Sequence, residues 1–156
     1  MLTRFPIHRS PYCQRVFPQL ERKVGGLAGK GFEVGKCILI ADDSPVIRKT
    51  LRQTLEREDA WEVCGEAADG RQAVEKAQRL KPDLVVLDLS MPVMNGLEAA
   101  RELTRISPSL PLVMFTNFDT PQLTNEALSA GVRAVVPKSE IRGLVDEIQV
   151  LLESAS

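Results

Sequence analysis

A chain of 156 residues is long enough for one domain with a full hydrophobic core. Its 44% hydrophobic and 26% charged content is ordinary soluble composition, and no apolar run is long enough to span a membrane. The net charge of −1 conceals an asymmetry: residues 1–36 hold 7 Lys/Arg and 2 Asp/Glu (+5), residues 37–156 hold 13 and 19 (−6), and an acidic domain is a poor nucleic-acid binder.

Three cysteines, Cys13, Cys37 and Cys64, form no C-x-x-C pair. That argues against a disulfide framework or a zinc site and suits a reducing cytosol. His8 is the only histidine, which argues against a His-based metal site or triad.

Residues 1–36 contain Pro6, Pro11 and Pro18, then Gly25, Gly26, Gly29, Gly31 and Gly35. No apolar periodicity survives these breaks, so a disordered or weakly held basic extension is expected. A basic arm for nucleic acid or anionic membrane is one reading. A transit peptide is another, although the prolines spoil an amphipathic helix. A start codon placed too early, with translation beginning near Val34 or Lys36, or inert disorder is favoured. Gly29-Lys30 is no phosphate loop, because Val24 and Gly31 stand where the pattern needs Gly and Ser/Thr.

The regular chain starts at Cys37. Cys37 to Ala41 reads as a short buried strand ending in Asp42-Asp43. Ser44-Pro45 supplies an N-cap and a proline at the first helical position. Val46, Ile47, Thr50, Leu51, Thr54 and Leu55 mark one helical face. Trp61 to Ala67 is a second strand, with Trp61, Val63 and Gly65 alternating and Trp61 packing at an edge. Asp69-Gly70 makes a turn, and Ala73, Val74, Ala77 and Leu80 mark the next helix.

Leu84 to Leu87 is a branched apolar run, too short for a helix, and reads as a strand buried on both faces. Asp88 follows it, then a turn with Pro92 and Asn95-Gly96. Leu97, Ala100, Leu103 and Ile106 mark a third helix. Pro111 to Phe115 is a strand ending at Thr116. Leu123, Ala127 and Leu128 give a helix that stops at Gly131. Val132 to Val136 is the last strand, followed by Pro137-Lys138. Ile141, Leu144, Val145, Ile148, Leu151 and Leu152 make an amphipathic final helix.

Five apolar strands alternating with five helices predict an α/β fold: a parallel sheet covered on both faces and joined by right-handed crossovers. At roughly 120 residues, the flavodoxin-like, doubly wound order 2-1-3-4-5 is expected, with ligands bound outside the carboxyl ends of the strands. Four strands end on polar residues: Asp42-Asp43, Asp88, Thr116 and Lys138. Each alone has a bland explanation as a cap, turn or surface charge. Together they make a site of three carboxylates, a hydroxyl and an ammonium. Clustered carboxylates repel, and a cation must offset that cost. Carboxylate and carbonyl oxygens with water suit Mg²⁺, which readily adds phosphate oxygens. A carboxylate beside such a metal can become an aspartyl phosphate.

With these motifs in place, the stretch from residue 37 to about 153 resembles the receiver domain of bacterial two-component response regulators. The resemblance is carried by Ile-Ala-Asp-Asp-Ser-Pro, Val-Val-Leu-Asp-Leu-Ser-Met-Pro-Val-Met-Asn-Gly, Met-Phe-Thr and Val-Pro-Lys. It implies that Asp88 is the phosphoacceptor. It implies that Asp43, Asp88 and the Ser90 carbonyl hold Mg²⁺, with Asp42 assisting through water. Thr116 would move to the phosphoryl group and Lys138 would pair with it. The implied partners are a sensor histidine kinase or phosphotransfer protein and a downstream protein target, in the cytoplasm, without direct DNA binding. The Val-Cys-Gly-Glu-Ala-Ala-Asp-Gly stretch is most similar to receivers that carry a C-terminal helix-turn-helix.

Three departures stand out. The sequence stops at Ser156, so a stand-alone receiver (residues 37–156) is expected. Val135 stands where the family usually has Tyr or Phe. Ser139 rather than proline follows Lys138. A small aspartate-dependent phosphatase is a rival, but that chemistry usually needs a second Asp where Ser90 stands. A receiver-like module that is never phosphorylated is disfavoured by the complete acidic and lysine set.

Overall fold

The computed structural model describes residues 35–118 and 120–155. The basic extension expected over residues 1–36 lies outside the described residues apart from Gly35 and Lys36. Among the described residues the order is β1 (Lys36–Ala41), α1 (Pro45–Leu55), β2 (Trp61–Ala67), α2 (Gly70–Leu80), β3 (Leu84–Leu87), α3 (Gly96–Ile106), β4 (Leu112–Thr116), α4 (Pro121–Ser129), β5 (Ala134–Pro137) and α5 (Ile141–Ser154). All strand pairs are parallel, in the order β2-β1-β3-β4-β5. This is the doubly wound order expected from the alternation.

Side chains alternate across the sheet and build two cores. Leu39, Ala41, Val85, Leu87, Leu112 and Met114 face α2, α3 and α4. Ile38, Ile40, Leu84, Val86, Val113 and Phe115 face α1 and α5. Burial on both faces is why β3 and β4 read as unbroken apolar runs. Helix starts follow side-chain capping. Ser44 accepts the Ile47 N–H with Pro45 at the first turn, Asp69 accepts from Gln72, and Thr120 accepts from Leu123. Asn95 and Glu98 form a reciprocal capping box at α3.

Several expectations need correction. Trp61, Val63 and Gly65 do not share one face. The β1–β2 register slips between Ile38↔Val63 and Leu39↔Gly65, leaving Cys64 as an extra residue. The bulge turns Gly65 toward Leu39 and Leu80, whereas Val63 packs on the α1/α5 side. Val46 and Leu128 lie on the exposed side of their helices, at 71% and 49% exposure. β5 starts at Ala134, two residues later than Val132, because the Val132 N–H still caps α4 through the Ala127 carbonyl.

The argument against a disulfide is also overturned: Cys37 and Cys64 are bridged, with Cα atoms 5.4 Å apart. They are separated by 27 residues and become neighbours only through β1–β2 pairing, which spacing along the chain does not reveal.

The outer edge of β2 is closed by side chains. Arg52 donates to the Val63 carbonyl, Glu56 accepts the Val63 N–H, Lys76 donates to the Glu66 carbonyl, and Gln72 accepts the Ala68 N–H. These groups occupy positions that an added strand would use.

Candidate functional site

Parallel strands bring the predicted polar ends to one rim. The Asp88 N–H donates to the Ala41 carbonyl (2.8 Å), the Asp42 N–H to Ala67 (3.0 Å) and the Lys138 N–H to Thr116 (2.9 Å). The ladder thus continues one residue past the apolar runs and aligns β1, β3, β4 and β5 where their polar residues begin.

Asp42, Asp43 and Asp88 each offer a carboxylate oxygen within 4.8 Å of the others; Asp42 and Asp88 are buried and Asp43 is exposed. The Lys138 ammonium lies 2.7 Å from Asp42 Oδ2 and 3.3 Å from Asp88 Oδ1. The other Asp42 oxygen, Oδ1, accepts the Ser44 N–H at 2.8 Å, and Arg48 Nη1 donates to the Asp42 main-chain carbonyl at 2.7 Å. Burial raises the Asp88 pKa, and the neighbouring Asp42 charge adds to this, while Lys138 opposes it. For Lys138, burial works against the charged form, but Asp42 and Asp88 outweigh it, so the ammonium is held above its ordinary value.

Thr116 is buried at the end of β4, and its hydroxyl accepts the Phe118 N–H at 3.2 Å. Ser90 lies with Asp43, Leu89, Met91, Pro92 and Asn95 along a groove beside the carboxylates. All six predicted site residues therefore stand at or beside one rim. Asp42, Asp43, Asp88 and Lys138 form its charged centre.

Two contributors went unnoticed in the sequence. Gly96, read only as a turn residue, packs so closely on the Asp88 carbonyl that a Cβ there would overlap it. Arg48 reaches back from one turn into α1 to hold the Asp42 backbone. Its signal was a basic residue four positions after the N-cap Ser44, on the side facing β2.

The residues fit a hard divalent cation. Three carboxylates converge, Lys138 offsets one of their three charges, and exposed Asp43 beside the groove leaves an approach from solvent. Oxygen donors with room for water are what Mg²⁺ accepts.

Residues 38–149 match the response regulator receiver domain. The chain belongs to that family. It is 40% identical over 119 residues to a protein-glutamate methylesterase/protein-glutamine glutaminase of Alkalilimnicola ehrlichii, covering 74% of this chain and 30% of that one. It is 37% identical over 105 residues to the chemotaxis protein CheY of Thermotoga maritima, covering 67% and 87%. Among solved structures, a LuxR-family two-component response regulator from Aurantimonas sp. SI85-9A1 superposes with a TM-score of 0.74 at 30% identity, covering 77% and 86%.

The chain spans less than a third of the methylesterase relative but most of the CheY relative. The shared part is the receiver, a phosphoacceptor domain of two-component signalling. Receivers bind Mg²⁺ at an acidic pocket and interact with kinases, phosphotransfer proteins and effectors. Among the described residues, no helix is long and apolar enough to cross a membrane.

Proposed function

We propose that Asp88 of this receiver is the phosphoacceptor, and that the chain takes a phosphoryl group from a phosphohistidine on a sensor histidine kinase or phosphotransfer protein. One observation carries the assignment. Asp88 is the carboxylate that lies at the buried end of the central strand, shares Lys138 with Asp42, and stands beside exposed Asp43.

An Asp88 oxygen attacks phosphorus in line as the bond to the histidine nitrogen breaks. Asp43, Asp88 and the Ser90 carbonyl would hold Mg²⁺, with Asp42 acting through water; the metal supplies neutralisation of charge on the transferring group. Lys138 is already placed to pair with a phosphoryl oxygen in exchange for its present contact with Asp88. The Thr116 hydroxyl, now accepting from Phe118, would turn to donate to another. Water then removes the group. The chain acts as a signalling phosphoacceptor rather than a turnover enzyme. It passes the signal by binding a protein target in the cytoplasm, without touching DNA.

Acetyl phosphate with Mg²⁺ should add a single phosphoryl group that is stable to acid and labile to base. Asp88→Asn should abolish it. Persistent labelling of that variant would place the acceptor elsewhere.

A further inference from the structure

We infer that Cys37 and Cys64 form a redox-reversible pair, in which Cys64 exchanges with low-molecular-weight thiols and Cys37 is the resolving sulfur. The two residues are bridged across the β1–β2 ladder. Cys64 is the extra residue of the β-bulge, and β2 is the edge strand of the sheet. Cys64 faces the same side as Cys37, against the α2–α3 core. Glu62 is the register partner of Cys37, so ordinary alternation two residues on puts Cys64 on the face of Cys37, ahead of the point where the bulge reverses the facing.

Burial separates the two roles. Cys37 is 1% exposed, and its backbone is pinned on both sides by Asp83, whose carboxylate accepts its N–H and whose N–H donates to its carbonyl, each at 2.7 Å. Cys64 is only partly buried and lies on the strand that solvent reaches. An incoming thiolate therefore meets Cys64 first.

The reduced state is provided for as well. The Ile38 carbonyl oxygen lies 3.6 Å from Cys64 Sγ. A bridged sulfur has no proton to donate, so this contact becomes a hydrogen bond only once the thiol forms. The reduced Cys64 thiol thus has an acceptor already in place.

The exchange balances. A thiolate RS⁻ attacks Cys64 Sγ, the Cys64–Cys37 bond breaks, and Cys37 leaves as a thiolate that takes a proton. A second RS⁻ attacks the outer sulfur of the mixed disulfide, releasing RSSR and the Cys64 thiolate, which is then protonated. Two electrons enter the protein and two small thiols are oxidised. Reoxidation runs the same steps backward with a small disulfide.

The bridge closes the segment that carries Asp42, Asp43 and α1, so it should stabilise the fold. It lies five residues, about 16 Å of extended strand, from Asp42, so it should leave phosphoacceptor chemistry alone.

The full chain is treated with oxidised glutathione, denatured, and alkylated with iodoacetamide before mass analysis. Cys37 and Cys64 are expected to carry neither iodoacetamide nor glutathione, whether Cys13 is alkylated or glutathionylated; alkylation of both would overturn the pairing. Reduced glutathione under native conditions should make Cys37 and Cys64 alkylatable, and renewed oxidised glutathione should protect both again. A bridge reducible only after denaturation would overturn its reversibility. Brief native alkylation of the reduced chain should modify Cys64 before Cys37, and the opposite order would overturn the assigned roles. Oxidised protein should melt about 5–15 °C above reduced protein, a gap that closes in Cys64→Ser. Labelling by acetyl phosphate should be equal in both states, whereas a severalfold difference would overturn the separation from the rim.

Discussion

Val93 is the residue whose replacement should stabilise this protein. It occupies the left-handed region at φ +68° in the loop that follows Asp88. A β-branched side chain there is a genuine outlier, and the left-handed region costs roughly 1–2 kcal/mol for an L-residue with a Cβ. The conformation persists because its surroundings over-determine it. Met94 donates its N–H to the Pro92 carbonyl at 2.7 Å, the Met94 carbonyl accepts from Gly70 at 2.9 Å, and Gly96 closes back onto Leu89 at 2.9 Å.

Little packing opposes the change, since Val93 is 74% exposed. The buried quarter of a valine side chain is worth about 0.5 kcal/mol. Val93→Asn keeps a side chain that tolerates this region, so relief of strain minus lost burial leaves a gain of about 1 kcal/mol. Val93→Gly relieves the same strain but adds freedom to the unfolded chain, at about 0.5–1 kcal/mol, and should gain only about 0.5 kcal/mol or less. Urea unfolding followed by circular dichroism, with a common slope for all variants, gives both differences. If Val93→Asn proves less stable than the parent, strain at Val93 is not stored in the fold and the reasoning fails.

Further predictions concern charge, lifetime and signalling. Burial tends to raise the Glu66 pKa, but Arg52 and then Arg48 outweigh it, so its pKa is lowered on folding. That stability is present above the unfolded carboxylate value and is lost as pH falls through the folded one. With its side chain 31% exposed, the effect is discounted for screening, and Glu66→Gln should cost about 0.5–1 kcal/mol at pH 7 and almost nothing at pH 3. Equal losses at both pH values would show that the ion pairs are not responsible. Phe118 is 55% exposed two residues beyond Thr116, where it can flank the approach of water to a phosphoryl group on Asp88. Phe118→Ala should raise the dephosphorylation rate severalfold, and an unchanged rate would show that the ring does not shield the site.

Val135 is half-buried against the core shared with α3 and α4, and valine has few rotamers with which to swing. A beryllofluoride complex, standing in for the phosphoryl group, should therefore shift amides over residues 116–128 more than over 132–144. Shifts at Val135 and Ile141 as large as those at Thr116 would refute this.

Strand and helix identity, the doubly wound order and the polar strand ends were legible in the sequence for a physical reason. Burial on both faces leaves four- and five-residue apolar runs such as Leu84–Leu87, and right-handed crossovers leave few topologies for them. The same logic placed Asp42, Asp43, Asp88, Thr116 and Lys138 on one rim without any distance being known. What only the tertiary structure decided depends on register and close approach. The bulge at Cys64 inverts the facing of Gly65, because one inserted residue reverses every later side chain, and the β1–β2 pairing joins Cys37 to Cys64. Gly96 is needed because of the Asp88 carbonyl packed against it, and Arg48 matters because a helical turn carries it back to the Asp42 carbonyl. Lys138 lies fifty residues after Asp88, and only the β3–β4–β5 ladder brings its ammonium within 3.3 Å of that carboxylate.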